Sequence, residues 1–93
     1  MAVQIFIKRT MTTSHEERLV ALLHKMRSVC LVQPGYVSGQ TLKRLDKPGE
    51  QLVISTWKSI EAWENWFNSP ERNEIQLEID ALLGEDTSYA IYS

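Results

Sequence analysis

Two periodicities alternate along this chain, and their order restricts its fold more than any other feature. Val3, Ile5 and Ile7 alternate with Gln4, Phe6 and Lys8, the period of a strand whose successive side chains point to opposite faces. Leu19, Leu22, Leu23, Met26, Val29 and Cys30 then recur at spacings of three and four, one apolar helical stripe, with Arg18, Lys25 and Arg27 left for the water side. Thr12-Thr13-Ser14 opens this helix. Ser14 with Glu17 three residues on matches a capping box, and Glu16 and Glu17 suit the positive end of the helix dipole. Gln33-Pro34-Gly35 ends the segment. Tyr36–Leu45 and Gln51–Trp57 read as strands joined through the turn Asp46-Lys47-Pro48-Gly49, hence an antiparallel hairpin. Gly39 inside the first of them weakens it unless another group approaches closely there or the strand bends.

A second helical region follows, with Ser59 as its N-cap and Trp63, Trp66 and Phe67 on one side. Ser69-Pro70-Glu71 is a fresh helix start, Ser as cap and Pro at the first helical position. Ile75, Ile79 and Leu82 continue an apolar stripe with Leu83 beside it, Gly84 can cap its end, and Thr87–Tyr92 reads as a last strand. The order is β-α-β-β-α-β with a broken second helix, which is the ferredoxin-like α+β arrangement. The expectation is a single domain over residues 1–93. Helices would cover one face of a four-stranded sheet. Apolar residues occur at both parities of the strands, Leu52 and Ile54 against Val53 and Trp57 for instance, so the other face calls for a second layer. A homodimer packed sheet to sheet supplies one.

Composition narrows the function classes. Ten Lys and Arg against twelve Asp and Glu give a net charge of −2, and the densest basic cluster, Lys43, Arg44 and Lys47, is broken by Asp46. A nucleic-acid binder usually carries a basic stripe, so no nucleic acid is expected. No segment approaches the roughly 20 apolar residues of a spanning helix, and no signal-like apolar run opens the chain. The expectations are no membrane and a cytoplasmic protein. Cys30 is alone among apolar neighbours and reads as a small hydrophobe. His15 and His24 stand nine residues apart without a partner at ligand spacing, so no metal is expected.

Three segments carry a resemblance: Pro34-Gly35-Tyr36-Val37-Ser38-Gly39, Val53-Ile54-Ser55-Thr56-Trp57-Lys58-Ser59, and Ala62-Trp63-Glu64-Asn65-Trp66-Phe67-Asn68-Ser69-Pro70-Glu71-Arg72. Together they resemble the antibiotic biosynthesis monooxygenase (ABM) domain family over nearly the whole chain. The resemblance implies a dimeric α+β barrel with a cavity between sheet and helices in each subunit. Some members of that family are cofactorless oxygenases of polycyclic aromatic quinols, others degrade haem, and many have no known activity. The haem-degrading branch uses a first-strand Asn, a helical Trp and an axial His. Trp66 matches the Trp, but Ile7 or Lys8 falls where the Asn would be and Gln76 where the His would be. Glutamine is a poor iron ligand beside imidazole, so no cofactor is expected and haem is disfavoured.

The catalytic candidates are Trp66, a flat wall for a planar substrate, His24, an imidazole able to take a proton from a phenol, and Arg72, an anchor for an anionic group. Packing explains Trp66 equally well, an edge position explains His24, and an exposed pairing with Glu71 or Glu74 explains Arg72. Phe6, Leu22, Met26, Ile54, Phe67 and Asn68 are the candidates for substrate binding; Trp57 and Trp63 read as core. The resulting expectation is a cofactor-independent monooxygenase of a small aromatic or quinol-like compound. The alternatives are a dimeric domain that binds a small apolar or aromatic ligand without catalysis, and a haem-degrading oxygenase.

Overall fold

The computed structural model describes residues 2–10, 16–83 and 87–93. Its elements are β1 (Val3–Thr10), α1 (Glu16–Leu31), β2 (Tyr36–Lys43), β3 (Glu50–Trp57), α2 (Ile60–Phe67), α3 (Pro70–Leu83) and β4 (Ser88–Tyr92). The capping box at Ser14, His15 and the Gly84 cap lie outside the described residues. The split of the second helix falls where Ser69-Pro70 places it. Ser59 Oγ accepts from Ala62 N at 3.1 Å and starts α2. The Asn68 N–H donates to Glu64 O at 3.0 Å and closes it, and Ser69 Oγ accepts from Arg72 N at 3.3 Å to start α3. β1 is longer than the alternation to Lys8 suggests, because Arg9 and Thr10 still pair with Gln51 and Glu50.

All pairings are antiparallel, in the order β2-β3-β1-β4. The expected barrel is overturned here. The sheet is open, with β2 and β4 at opposite edges and β3 and β1 between them. Closure would require β2 and β4 to bond across a ring, and four strands are too few for a ring that holds side chains.

Register decides which side chains meet the helices. Val3, Ile5, Ile7 and Arg9 share one face of β1 with Trp57, Ser55, Val53 and Gln51 of β3 opposite them. Ile5 and Trp57 are fully buried there, as are Leu19 and Ile79 on α1 and α3. The other face carries Phe6, Leu42, Leu52, Ile54 and Tyr92. Phe6 and Tyr92 meet edge to face on it, ring centres 4.8 Å apart. At the hairpin, Arg44 bonds Asp46 at 2.7 Å and Glu50 at 3.1 Å.

Gly35 and Gly39 fix the entry to β2. Gly35 holds φ +86, and a Cβ there would collide with Ala62 of α2. Gly35→Ala is expected to cost about 2–5 kcal/mol, combining left-handed strain of ~1–2 with overpacking of ~1–3. Urea unfolding followed by circular dichroism measures it. At Gly39 the close approach is the Tyr36 hydroxyl, which occupies the space of a Cβ. The β2–β3 register shifts between Tyr36 and Ser38, the irregularity that turns the Tyr36 ring back over Gly39 and edge-on to Trp57.

Candidate active site

α1 packs against α3 and touches β2 only sparsely. Between α1 and the β2-β3-β1 part of the sheet lies a cavity of about 600 Å³. Trp63 and Trp66 of α2 line it, with Met26, Leu23 and Val20 of α1 and Ile7 and Val53 of the sheet. Trp66 stands nearly parallel to Trp57, ring centres 6.5 Å apart. Trp57 Nε1 donates to Ser55 Oγ at 3.1 Å, so the indole behind Trp66 is held from two sides.

The polar part of the lining has one sign. Its charged side chains are Arg9, Arg27, Lys43 and Arg72, and no Asp or Glu lines it, although the chain as a whole is acidic. Arg72 is buried rather than paired at the surface with Glu71 or Glu74. Its guanidinium donates to the Tyr89 hydroxyl, to Phe67 O at 3.1 Å and to Asn73 Oδ1 at 2.9 Å, and lies 4.2 Å from the centre of the Phe67 ring. Arg9 is buried as well, without a carboxylate partner among the described residues, and its Nε has no hydrogen-bond acceptor there. Gln76, one turn on from Arg72, gives its amide NH2 to Asp80 Oδ1 at 2.8 Å and Thr87 Oγ1 at 3.2 Å. A carboxylate only accepts, which fixes the amide's orientation. The Gln76 carbonyl oxygen is then buried without a partner.

The structure brings four of the sequence-derived candidates, Trp66, His24, Arg72 and Met26, to this one cavity. Phe6 and Ile54 stand on the far face of the sheet. Leu22 packs with the core. Phe67 backs Arg72 and Tyr89 from a second, more open hollow. Asn68 is exposed, its side chain donating to Glu64 O at 3.0 Å. Sequence reasoning did not single out Arg9 or Ser55 as site residues. Arg9 was within reach, since it continues the Val3, Ile5, Ile7 phase onto the helix-covered face.

Burial pushes the Cys30 thiol up to about 11, against a small opposing pull from Arg27. Burial also raises the Tyr89 phenol, although Arg72 and Arg9 draw it down, and raises Tyr36. Each of these groups loses its proton in the unfolded chain before it does in the fold. Their contribution is therefore complete below the ordinary thiol value near 9 and is lost as pH climbs toward 11. Urea midpoints should hold steady from pH 7 to 8.5 and drop by pH 10.5, and iodoacetamide should label Cys30 slowly at pH 7.5.

The sequence model of antibiotic biosynthesis monooxygenases matches residues 2–76. The chain belongs to the ABM family. Membership places it in a monooxygenase-type class at the level of family. No curated protein matches its sequence. Solved structures share the ABM fold at low identity. A conserved protein from Methanosarcina mazei Go1 superposes with a TM-score of 0.89 at 17% identity, covering 99% of this chain and 91% of that one. SnoaB of Streptomyces nogalater, described as a cofactor-independent oxygenase, gives 0.85 at 17% with the same coverage. Rv0793 from Mycobacterium tuberculosis gives 0.86 at 18%, covering 100% and 94%. Among the described residues of this ABM domain no helix is long and apolar enough to cross a membrane. No group of three or more His, Cys, Asp or Glu is placed there to hold a metal ion.

Proposed function

We propose that this ABM domain oxygenates a planar phenol- or quinol-like aromatic compound in the cavity beneath α1, without a cofactor. The observation that carries the reading is the pairing of an indole wall with a lining that is cationic and free of carboxylates. Dioxygen reacts with such a substrate once it is deprotonated and electron-rich. A cavity of positive potential favours that anion over its neutral parent and has it ready before reaction. Trp63 and Trp66 bound the slot in which the rings stack. His24, on the α1 side, takes the phenolic proton. The anion gives one electron to dioxygen, the radical pair joins as a hydroperoxide, and loss of water leaves a carbonyl. For anthrone, a three-ring phenol in its keto form, the balance is anthrone + O2 → anthraquinone + H2O.

The test uses 18O2 and anthrone. One labelled oxygen in the anthraquinone supports the reading, and label arriving only from water overturns it. Trp66→Ala is expected to lower kcat/KM at least tenfold, read on protein whose circular dichroism reports a folded domain, because Trp66 also belongs to the core.

A second reading, a binding domain without catalysis, has one observation in its favour: Cys30 and Tyr89 are pushed away from neutrality, so neither is a ready base. Tight binding of the same aromatic compound without oxygen consumption would select it. The outer sheet face with Phe6, Leu42, Leu52, Ile54 and Tyr92 is the surface on which two copies would pack as a homodimer, and sedimentation at micromolar concentration reads its stoichiometry.

A further inference from the structure

Arg9 and Gln76 stand out after the rest of the cavity has been accounted for. Both are more than nine-tenths buried, at 8% and 7% exposure. Both line the cavity, and each leaves a buried polar atom without a partner, the donor Nε of Arg9 and the acceptor Oε1 of Gln76. Orphaned atoms of this kind are uncommon in folded proteins and call for an explanation. The local packing gives none. Arg9 could have been apolar like Val3, Ile5 and Ile7 in the same phase, and a buried cation without a counter-ion destabilises its fold. A second buried cation, Arg72, adds to the same potential, and the two repel: Arg72 is among the influences that lower the Arg9 pKa, after burial itself. Asp80, the carboxylate among the described residues whose charge reaches Arg9, is occupied with the amide of Gln76 and lines the neighbouring hollow instead.

We infer that Arg9, with Arg72 and Gln76 beside it, forms an anion subsite in the cavity, and that the ligand is a planar aromatic acid bearing a hydroxyl. Its carboxylate accepts from the Arg9 guanidinium, and its hydroxyl, distinct from the phenol that gives its proton to His24, donates to Gln76 Oε1. Charge-assisted bonds of this type are the strong ones in a dry site. The inference rests on the cavity being the ligand site, as in the proposed oxygenation, and adds the class of substrate. It asks for no new chemistry, because the carboxylate is a handle remote from the carbon that meets dioxygen.

The experiment compares 3-hydroxy-2-naphthoate with 2-naphthol, which differ by one carboxylate, by isothermal titration at fixed ionic strength and pH 7.5. The wild-type protein is expected to bind the naphthoate at least tenfold more tightly. Arg9→Met should bring the two within twofold of each other, with a Tm no lower than wild type, because the substitution removes an unpaired buried charge. Lys25→Ala, at an exposed residue of α1 outside the cavity lining, should change the ratio less than threefold. Equal affinities in the wild type, or a preference that survives Arg9→Met, would overturn the subsite. The oxygenase reading fails separately: a tenfold preference lost in Arg9→Met, with no oxygen consumed from anthrone, leaves the subsite standing and removes the oxygenase. Oxygen consumed from anthrone without any carboxylate preference does the reverse.

Discussion

Trp57→Ala is expected to destabilise the fold by about 3–5 kcal/mol, the range for removing a large aromatic from a core. Trp57 is fully buried at the end of β3. Its ring meets Tyr36 edge-on at 5.4 Å and Trp66 nearly parallel at 6.5 Å, and its indole N–H is bonded to Ser55. A chain of 93 residues has a total stability of roughly 5–14 kcal/mol at the usual ~0.05–0.15 per residue, so the loss is a substantial part of it at the upper end of that range and most or all of it at the lower. Trp57→Phe keeps most of the packing and leaves only Ser55 Oγ without its donor, which limits the loss to about 1–2 kcal/mol. Urea unfolding of the two variants separates these outcomes. A loss under 1 kcal/mol for the alanine variant would mean that the indole pair is not the centre of this core.

The second large effect concerns Arg72 and Tyr89. Tyr89→Phe removes the hydroxyl that accepts from Arg72 and leaves part of a buried guanidinium unbonded, which costs about 1–3 kcal/mol. Arg72→Leu strands both the Tyr89 hydroxyl and Phe67 O, at a similar cost for each, and loses the stack on Phe67. It also relieves the fold of a buried cation with no carboxylate partner among the described residues, which offsets part of that loss. The double variant Arg72→Leu with Tyr89→Phe should be more stable than the sum of the two single changes implies, by about 1–2 kcal/mol, as for residues in direct contact. Additive losses would show that the bond between them contributes nothing.

These predictions fall on residues whose visibility in the sequence differs greatly. The fold was legible because each element carries its period and its stops. Ser59 and Ser69 cap the two halves of the broken helix, and Pro34-Gly35 ends α1 just before β2. Openness of the sheet was not legible. Edge or ring depends on which strands bond across a distance, and no local pattern encodes that. Trp66 could be placed because helical spacing fixes a face. Arg72 shares the face of Ile75 and Ile79, so its burial was available in the same spacing, but a charge beside Glu71 and Glu74 suggests a surface pair. Phe6 shows the opposite limit. Period two says that it opposes Ile5 and Ile7, but not which of the two faces the helices take. Arg9 is the costliest omission, since a strand read only as far as Lys8 stops one residue short of a buried cation of the cavity.

The most direct test of cofactor-free oxygenation in this cavity is oxygen consumption. Protein dialysed against EDTA would be mixed with anthrone in an oxygen-electrode cell at pH 7.5. The account predicts uptake well above spontaneous oxidation, one O2 consumed for each anthraquinone formed, with the excess largely lost in Trp66→Ala. Uptake no faster than in buffer, from protein whose circular dichroism reports a folded α+β domain, would contradict it.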